Sequence, residues 1–149
     1  MPQFPHEEVA FESGINVRFT IYNSNNDYIP EHWHRSMEVI YIYEGSMELI
    51  EGQRVLLLHA GDYHVINSAA VHATRTTTPS RVLLLQIPYA FLIGAIPEYE
   101  SIRFLFSHRD SSADAQIQEI LTSMGDLYTN RKAILCGFPV CFMIFYTSL

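Results

Sequence analysis

Cysteine is scarce in this sequence, and its spacing excludes the common cysteine-based sites. Only two cysteines occur in 149 residues, Cys136 and Cys141. Their spacing and the Pro139 between them fit neither a zinc-binding pair nor a disulfide framework. We therefore expect two buried free thiols in a protein of a reducing compartment.

Positive charge is also scarce, which argues against a nucleic-acid-binding protein. Lys and Arg number 9 against 16 Asp and Glu, and the net charge is −7. We find no run of lysines and arginines that would form a local basic patch. Because a chain of this sign repels the phosphate backbone, this chain by itself is not expected to bind DNA or RNA.

Several motifs and targeting signals are missing as well. The sequence has no Gly-x-Ser-x-Gly, no phosphate loop and no dinucleotide fingerprint. The first residues lack a charged region followed by an apolar one, so we expect no signal peptide and a cytoplasmic protein. The apolar stretch 133–149 is short for a membrane span and contains Gly137 and Pro139. We interpret it as a buried or interfacial helix, and we expect no membrane partner.

What the sequence does contain is a series of short strand patterns separated by turn residues. Apolar and polar residues alternate in residues 14–22, and turns such as Glu44-Gly45-Ser46 punctuate the chain up to Pro88. The predicted strands are 14–22, 37–43, 47–50, 54–58, 63–67, 72–77 and 81–87. Turns at intervals of about 8–12 residues, with no helix between them, are typical of an all-β sandwich or barrel. We predict a small antiparallel jelly-roll barrel.

The last part of the chain has helical periodicity instead. In residues 113–129, apolar residues recur at helical spacing and form one stripe: Ile117, Ile120, Leu121, Met124, Leu127 and Tyr128. A second helix is predicted within 134–149, and it is apolar on nearly all faces. A helix of that kind needs cover on every side, so we expect a partner chain or a further domain.

The candidate site is a histidine-rich segment, His32-Trp33-His34-Arg35-Ser36-Met37-Glu38. If it is one strand, positions 32, 34 and 38 share a face, because side chains alternate along a strand. A further histidine, His72, follows. Three imidazoles and a carboxylate suit Fe, Mn, Ni or Zn. That face therefore holds either a divalent transition metal or a polar ligand pocket, and we expect Ile40, Ile42 and Met47 in the pocket wall.

These residues carry a resemblance to the cupin superfamily. His32-x-His34, Glu38 and Gly45 have the spacing of the first cupin motif, and Gly61 and His72 have that of the second. Three other positions of the second motif depart from it, since Asn67, Ala69 and Thr76 replace a proline, a glycine and an asparagine. The resemblance implies a double-stranded β-helix in which His32, His34, Glu38 and His72 are the metal-ligand positions. The departures put the loop before His72 in question.

The layout resembles the N-terminal half of AraC-family transcription regulators: an arm (1–14), a cupin barrel (15–110) and a helical segment (111–149). This resemblance implies a domain that binds a small effector, such as a sugar or an organic acid, and forms a homodimer through its C-terminal helices. DNA would be bound only by a domain missing from this chain. On this interpretation the protein is not an enzyme.

Two other functions remain open from the sequence. A small metal-dependent cupin enzyme, of dioxygenase or isomerase type, is the alternative, because the ligand set is complete. A storage or scaffold barrel is disfavoured, since burial of four ionisable groups costs stability.

Overall fold

Eight antiparallel strands form two four-stranded sheets in the computed structural model, which describes residues 4–10, 17–104 and 112–129. The chain divides into two units, Met1–Leu105 and Phe106–Leu149. The strands are β1 (Arg18–Ser24), β2 (Tyr28–His32), β3 (Met37–Glu44), β4 (Ser46–Glu51), β5 (Arg54–His59), β6 (Tyr63–Ile66), β7 (His72–Arg75) and β8 (Ser80–Ile87). The described helices are α1 (Tyr89–Ala95), a 3-10 helix (Tyr99–Ser101) and α2 (Ser112–Thr129).

The order of the strands is that of a jelly roll. The first strand pairs with the eighth, the second with the seventh, the third with the sixth and the fourth with the fifth. Two further pairs, β3 with β8 and β4 with β7, complete the sheets β1-β8-β3-β6 and β2-β7-β4-β5. A long antiparallel ribbon folded on itself produces this pattern. The predicted mainly β, antiparallel architecture is confirmed, although within the described residues the two sheets do not join into a closed barrel.

An apolar cluster packs in the interior between the two sheets. Ile40 and Ile42 of β3 meet Leu49 of β4 and Leu58 of β5, and each is at most 2% exposed. Because these residues come from both sheets, the cluster holds the two layers together, and each fully buried side chain stabilises the fold by about 1.5–3 kcal/mol. One end of this interior carries polar residues instead, and that end is the candidate site.

The strand predictions agree with the structure from β3 onward, but the prediction of a single strand through the histidine segment is wrong. β2 ends at His32 in one sheet, and β3 begins at Met37 in the other. The residues between them, 33–36, carry the chain from one sheet to the other. The shared parity of positions 32, 34 and 38 is therefore not what brings these side chains together.

The helical predictions are tested only in part. The helix expected over 113–129 is confirmed as α2, in which Leu121 and Met124 are buried. The helix predicted within 134–149 and both cysteines lie outside the described residues. The sequence did not indicate the short helices that follow β8. None of the described helices has the length and apolar character needed to cross a membrane.

Candidate metal centre

Three histidines from separate parts of the chain meet at one end of the interior. His32 ends β2, His72 begins β7, and the two residues lie opposite each other in the antiparallel ladder. His34 lies in the segment between β2 and β3. One ring nitrogen from each histidine lies within 4.8 Å of the other two. His34 and His72 are 2% and 1% exposed, whereas His32 is only half-buried.

The orientation of all three rings is set by the backbone. Nδ1 of His32 lies 2.9 Å from the carbonyl oxygen of Pro30, and Nδ1 of His34 lies 3.0 Å from that of Ser36. Nδ1 of His72 is 3.1 Å from the carbonyl oxygen of Ala70. Since a carbonyl oxygen only accepts, each Nδ1 must donate its proton, which leaves Nε2 as the basic nitrogen. Metal-binding histidines are held by this kind of hydrogen bond.

The Nε2 atom of His72 indicates that the site binds a ligand. This atom is buried, and among the described residues it has no hydrogen-bond partner. Buried polar atoms are rarely left without a partner, because the loss of hydration costs roughly 1–3 kcal/mol. Burial lowers the pKa of His72, although Glu38 and the Ala70 carbonyl act in the opposite direction. Its imidazole is therefore neutral, as metal binding requires.

Glu38 on β3 forms hydrogen bonds with a histidine and with a side-chain amide. Its Oε2 lies 2.9 Å from Nε2 of His34 and accepts a 2.8 Å hydrogen bond from Nε2 of Gln86. Burial raises the pKa of Glu38, but its hydrogen bonds with His34 and Gln86 act in the opposite direction, and the pKa is lowered overall. Burial lowers the pKa of His34, but its bond to Glu38 leaves it raised. A proton thus lies between His34 and Glu38, and a metal bound at Nε2 would replace it.

Gln86 belongs to a polar row that sequence reasoning missed. On adjacent strands, Arg18 lies opposite Gln86, and Gln86 lies opposite Glu38. Nη1 of Arg18 donates a 3.2 Å hydrogen bond to Oε1 of Gln86. The row leads from the partly exposed Arg18 to the buried Glu38. Its one sequence signal is a glutamine between Leu85 and Ile87, within the apolar run that makes up most of β8.

A cavity of about 480 Å³ opens beside the histidines, a size that suits a small molecule. Its lining includes His32, His72, Glu38, Gln86, Ile40, Leu84, Thr20, Tyr22, Arg18 and Glu7. Burial, with the charges of Glu38 and Asp27, raises the pKa of Tyr22 to about 12, so its hydroxyl is a neutral donor. Of the predicted wall residues, Ile40 lines this cavity. Ile42 is in the apolar cluster, and Met47 lines a second cavity of about 270 Å³.

The loop before His72 is well formed despite its departures from the second cupin motif. Ala69 has a positive φ of 61° where the motif has glycine, and its N–H donates to the carbonyl of His34. The side chain of Asn67, in the proline position, exchanges two hydrogen bonds with the backbone of Phe104, at 3.0 and 2.9 Å. These bonds fix the loop, and the carbonyl of Ala70 then orients His72.

Ala69→Gly is expected to stabilise the protein. A left-handed conformation costs a residue with a Cβ about 1–2 kcal/mol, and glycine's greater freedom in the unfolded chain offsets part of this gain. We expect a net gain of about 0.5–1 kcal/mol, measured by urea unfolding. The control is Ala70→Gly, whose φ is not positive. It should lose stability, and an equal gain in both variants would contradict the argument.

Part of the chain matches a known protein family. Residues 19–88 match the family described as Cupin domain. This match supports the cupin superfamily. The matched residues include all four predicted ligand positions, His32, His34, Glu38 and His72, whereas α2 lies beyond them. No curated protein matches the chain.

The solved structures similar to this chain include several cupins. A cupin-2 domain containing protein from Shewanella frigidimarina has 18% identity over 58% of this chain and 84% of that chain, with a TM-score of 0.46. A cupin superfamily protein from Desulfitobacterium hafniense has 12% identity over 54% of this chain and 74% of that one, with a TM-score of 0.48. A predicted oxalate decarboxylase from Thermotoga maritima has 20% identity over 49% and 68%, with a TM-score of 0.45.

Proposed function

We propose that the cupin domain of this protein binds a divalent transition metal through His32, His34 and His72, and a small polar molecule in the cavity beside it. The observation that carries the proposal is the common orientation of the three imidazoles. Each Nδ1 donates to a backbone carbonyl, so Nε2 is the nitrogen that each ring offers to a metal, which at His34 would replace the proton shared with Glu38. Neutral imidazoles are ligands that Fe, Ni and Zn accept readily.

The residues around the histidines have definable roles in this proposal. A bound metal would supply Lewis acidity to a ligand oxygen. Glu38 holds His34 and keeps a proton at its Nε2 when no metal is bound. Gln86 orients Glu38, and Arg18 offers a cation to an anionic group at the cavity mouth. Leu84 and Ile40 provide apolar contacts for the rest of a small molecule.

Metal analysis of untagged protein tests the proposal. The protein would be treated with a chelator, incubated separately with Fe²⁺, Mn²⁺, Ni²⁺ or Zn²⁺, freed of excess ion by gel filtration, and measured by plasma mass spectrometry. We expect about one ion per chain for at least one metal. Binding below about a tenth of an ion per chain for all four metals would overturn the proposal.

A second proposal concerns the use of the bound molecule. We infer that the cupin domain senses an effector as the N-terminal part of an AraC-like regulator, and that the segment 111–149 forms the homodimer. It is supported by the cavity and by α2, whose stripe contains the buried Leu121 and Met124. Sedimentation analysis should show a dimer, and a strict monomer at high concentration would count against it.

The alternative is a small metal-dependent cupin enzyme, which the histidine cluster favours. The two proposals differ in turnover. A sensor should bind a sugar or an organic acid, detected as a thermal shift, and leave it unchanged. An enzyme should convert its substrate only when metal is bound, and turnover that survives removal of the metal would exclude the metal-dependent enzyme.

A further inference from the structure

A carboxylate of the protein itself lies at the mouth of the cavity. Glu7, in the N-terminal arm (residues 4–10), lines the cavity together with Arg18 and His32. Its Oε1 lies 3.9 Å from Nη1 of Arg18, and its Oε2 lies 3.4 Å from Nε2 of His32. The space between Arg18 and His32 therefore accommodates a carboxylate, with one oxygen near each residue.

The Glu7 carboxylate is held only weakly in this space. Both of its contacts are longer than a strong hydrogen bond, and the side chains of Glu7 and Arg18 are 40% and 43% exposed. An ion pair of this kind contributes little to stability, because water and salt screen it. The backbone of the arm is held separately, since the N–H of Glu7 donates to the carbonyl of Trp33 at 2.9 Å. The carboxylate can therefore turn into solvent while the arm stays in place.

Arg18, in contrast, is held in position for a ligand. Its Nη1 donates a 3.2 Å hydrogen bond to Oε1 of Gln86, and Nε2 of Gln86 donates to the buried Glu38 at 2.8 Å. A guanidinium has five N–H donors, so those that Gln86 does not use can bind both oxygens of a carboxylate. Among the described residues that line the cavity, Arg18 is the one arginine or lysine. In a chain with a net charge of −7, it gives the cavity mouth its attraction for an anion.

From Arg18 the cavity continues along one face of β1. Arg18, Thr20 and Tyr22 all line it, as alternate side chains of one strand do. At about 3.3 Å per residue, Arg18 and Tyr22 are roughly 13 Å apart. Tyr22 also lines the second cavity, so the space for a ligand extends past it. Leu84 and Ile40 supply an apolar wall, and the two hydroxyls on β1 can bind a polar substituent of the ligand.

We propose that the ligand of this cavity is a small organic acid, whose carboxylate binds Arg18 and displaces the carboxylate of Glu7. The apolar or hydroxylated chain of the acid lies along β1 toward Tyr22. This inference rests on the small-molecule part of the proposed function, and it selects an acid over a sugar. Because Glu7 and the ligand compete for one place, Arg18 strengthens the binding of an acid and Glu7 weakens it.

Calorimetric titration of the full chain as purified tests this proposal with matched acids and amides. The probes are butyrate, 3-hydroxybutyrate, hexanoate and benzoate, each with its neutral amide, and glucose as a neutral sugar. We expect at least one acid to bind about tenfold or more tightly than its amide. Arg18→Gln should weaken the binding of that acid by about tenfold or more. Glu7→Gln should tighten it by about two- to fivefold, because the competing charge is removed.

Arg54→Gln and Glu8→Gln are the matched controls, because they remove the same charges from exposed residues outside the cavity lining. Both should bind the acid as the unmodified protein does. Thermal unfolding without ligand checks the folding of each variant. If Arg18→Gln unfolds at a much lower temperature, the tighter binding expected of Glu7→Gln still decides the question.

The outcomes separate this inference from the proposed function. The carboxylate site alone is overturned if acids and amides bind equally, if a folded Arg18→Gln does not weaken acid binding, or if Glu7→Gln does not tighten it. Binding of glucose but of none of the acids would also overturn it, and would leave the cavity as a sugar site. If no probe binds, this inference and the small-molecule part of the proposed function both fail, whereas metal analysis still decides the histidine site.

Discussion

His72→Leu is expected to abolish metal binding while leaving the fold intact. Leucine replaces the imidazole with an apolar side chain of similar size, so the buried position stays filled. The variant loses the hydrogen bond from Nδ1 to the Ala70 carbonyl, a loss of about 1 kcal/mol, and it removes a buried nitrogen that has no partner in the described part of the chain. The metal-free variant should therefore unfold close to the unmodified protein.

In His72→Leu, the stabilisation of the folded protein by bound metal should disappear. A ligand at 100 times its Kd stabilises a folded protein by about 2.7 kcal/mol, which for a chain of this size raises Tm by roughly 5–10 °C. We expect such a shift for the unmodified protein with its preferred ion and a shift below about 1 °C for His72→Leu. The control is His59→Leu, an exposed histidine at the end of β5. Equal metal-induced shifts in Tm for His72→Leu and the control would contradict the three-histidine metal site.

Gly45→Ala is expected to cause the largest loss of stability. Gly45 turns the chain between β3 and β4 with a φ of +79°, and a Cβ there would overlap the carbonyl oxygen of Pro79 and Oγ of Ser80. The same Cβ would lie 2.9 Å from the Cα of Ser80. Two of these three atoms are backbone, so relief requires movement of the start of β8. Strain and overlap together should cost about 3 kcal/mol or more, a decrease in Tm of roughly 10 °C.

Gly52→Ala is the matched control for this prediction. Gly52 also has a positive φ, +58°, but a Cβ there meets no atom of the described residues within 4 Å. The control should therefore lose only the left-handed strain, about 1 kcal/mol. Urea unfolding of both variants separates the two contributions. If the two glycines prove equally tolerant of alanine, close packing against Pro79 and Ser80 is not the reason for glycine at position 45.

The sequence predicted that the candidate histidines lie together, but the structure brings them together in a different way. His32, His34 and His72 do meet, and Glu38 lies beside them. The assumed strand through residues 32–38 does not exist, because the chain crosses between sheets at 33–36. The residues of the first motif therefore form a connection between the two sheets, and this connection places His32 and His34 beside His72 of β7. Alternation along a single strand does not explain the cluster.

The sequence by itself determined the strand pattern, the turn glycines and the histidine and carboxylate candidates, because alternation and turn chemistry are local properties. Only the tertiary structure decided which other residues join them. Gln86 and Arg18 reach Glu38 because β8 lies between β1 and β3. Glu7 reaches His32 because the arm pairs with Trp33. These partners are distant in sequence, and the register and order of strands that make them neighbours arise from packing the whole chain.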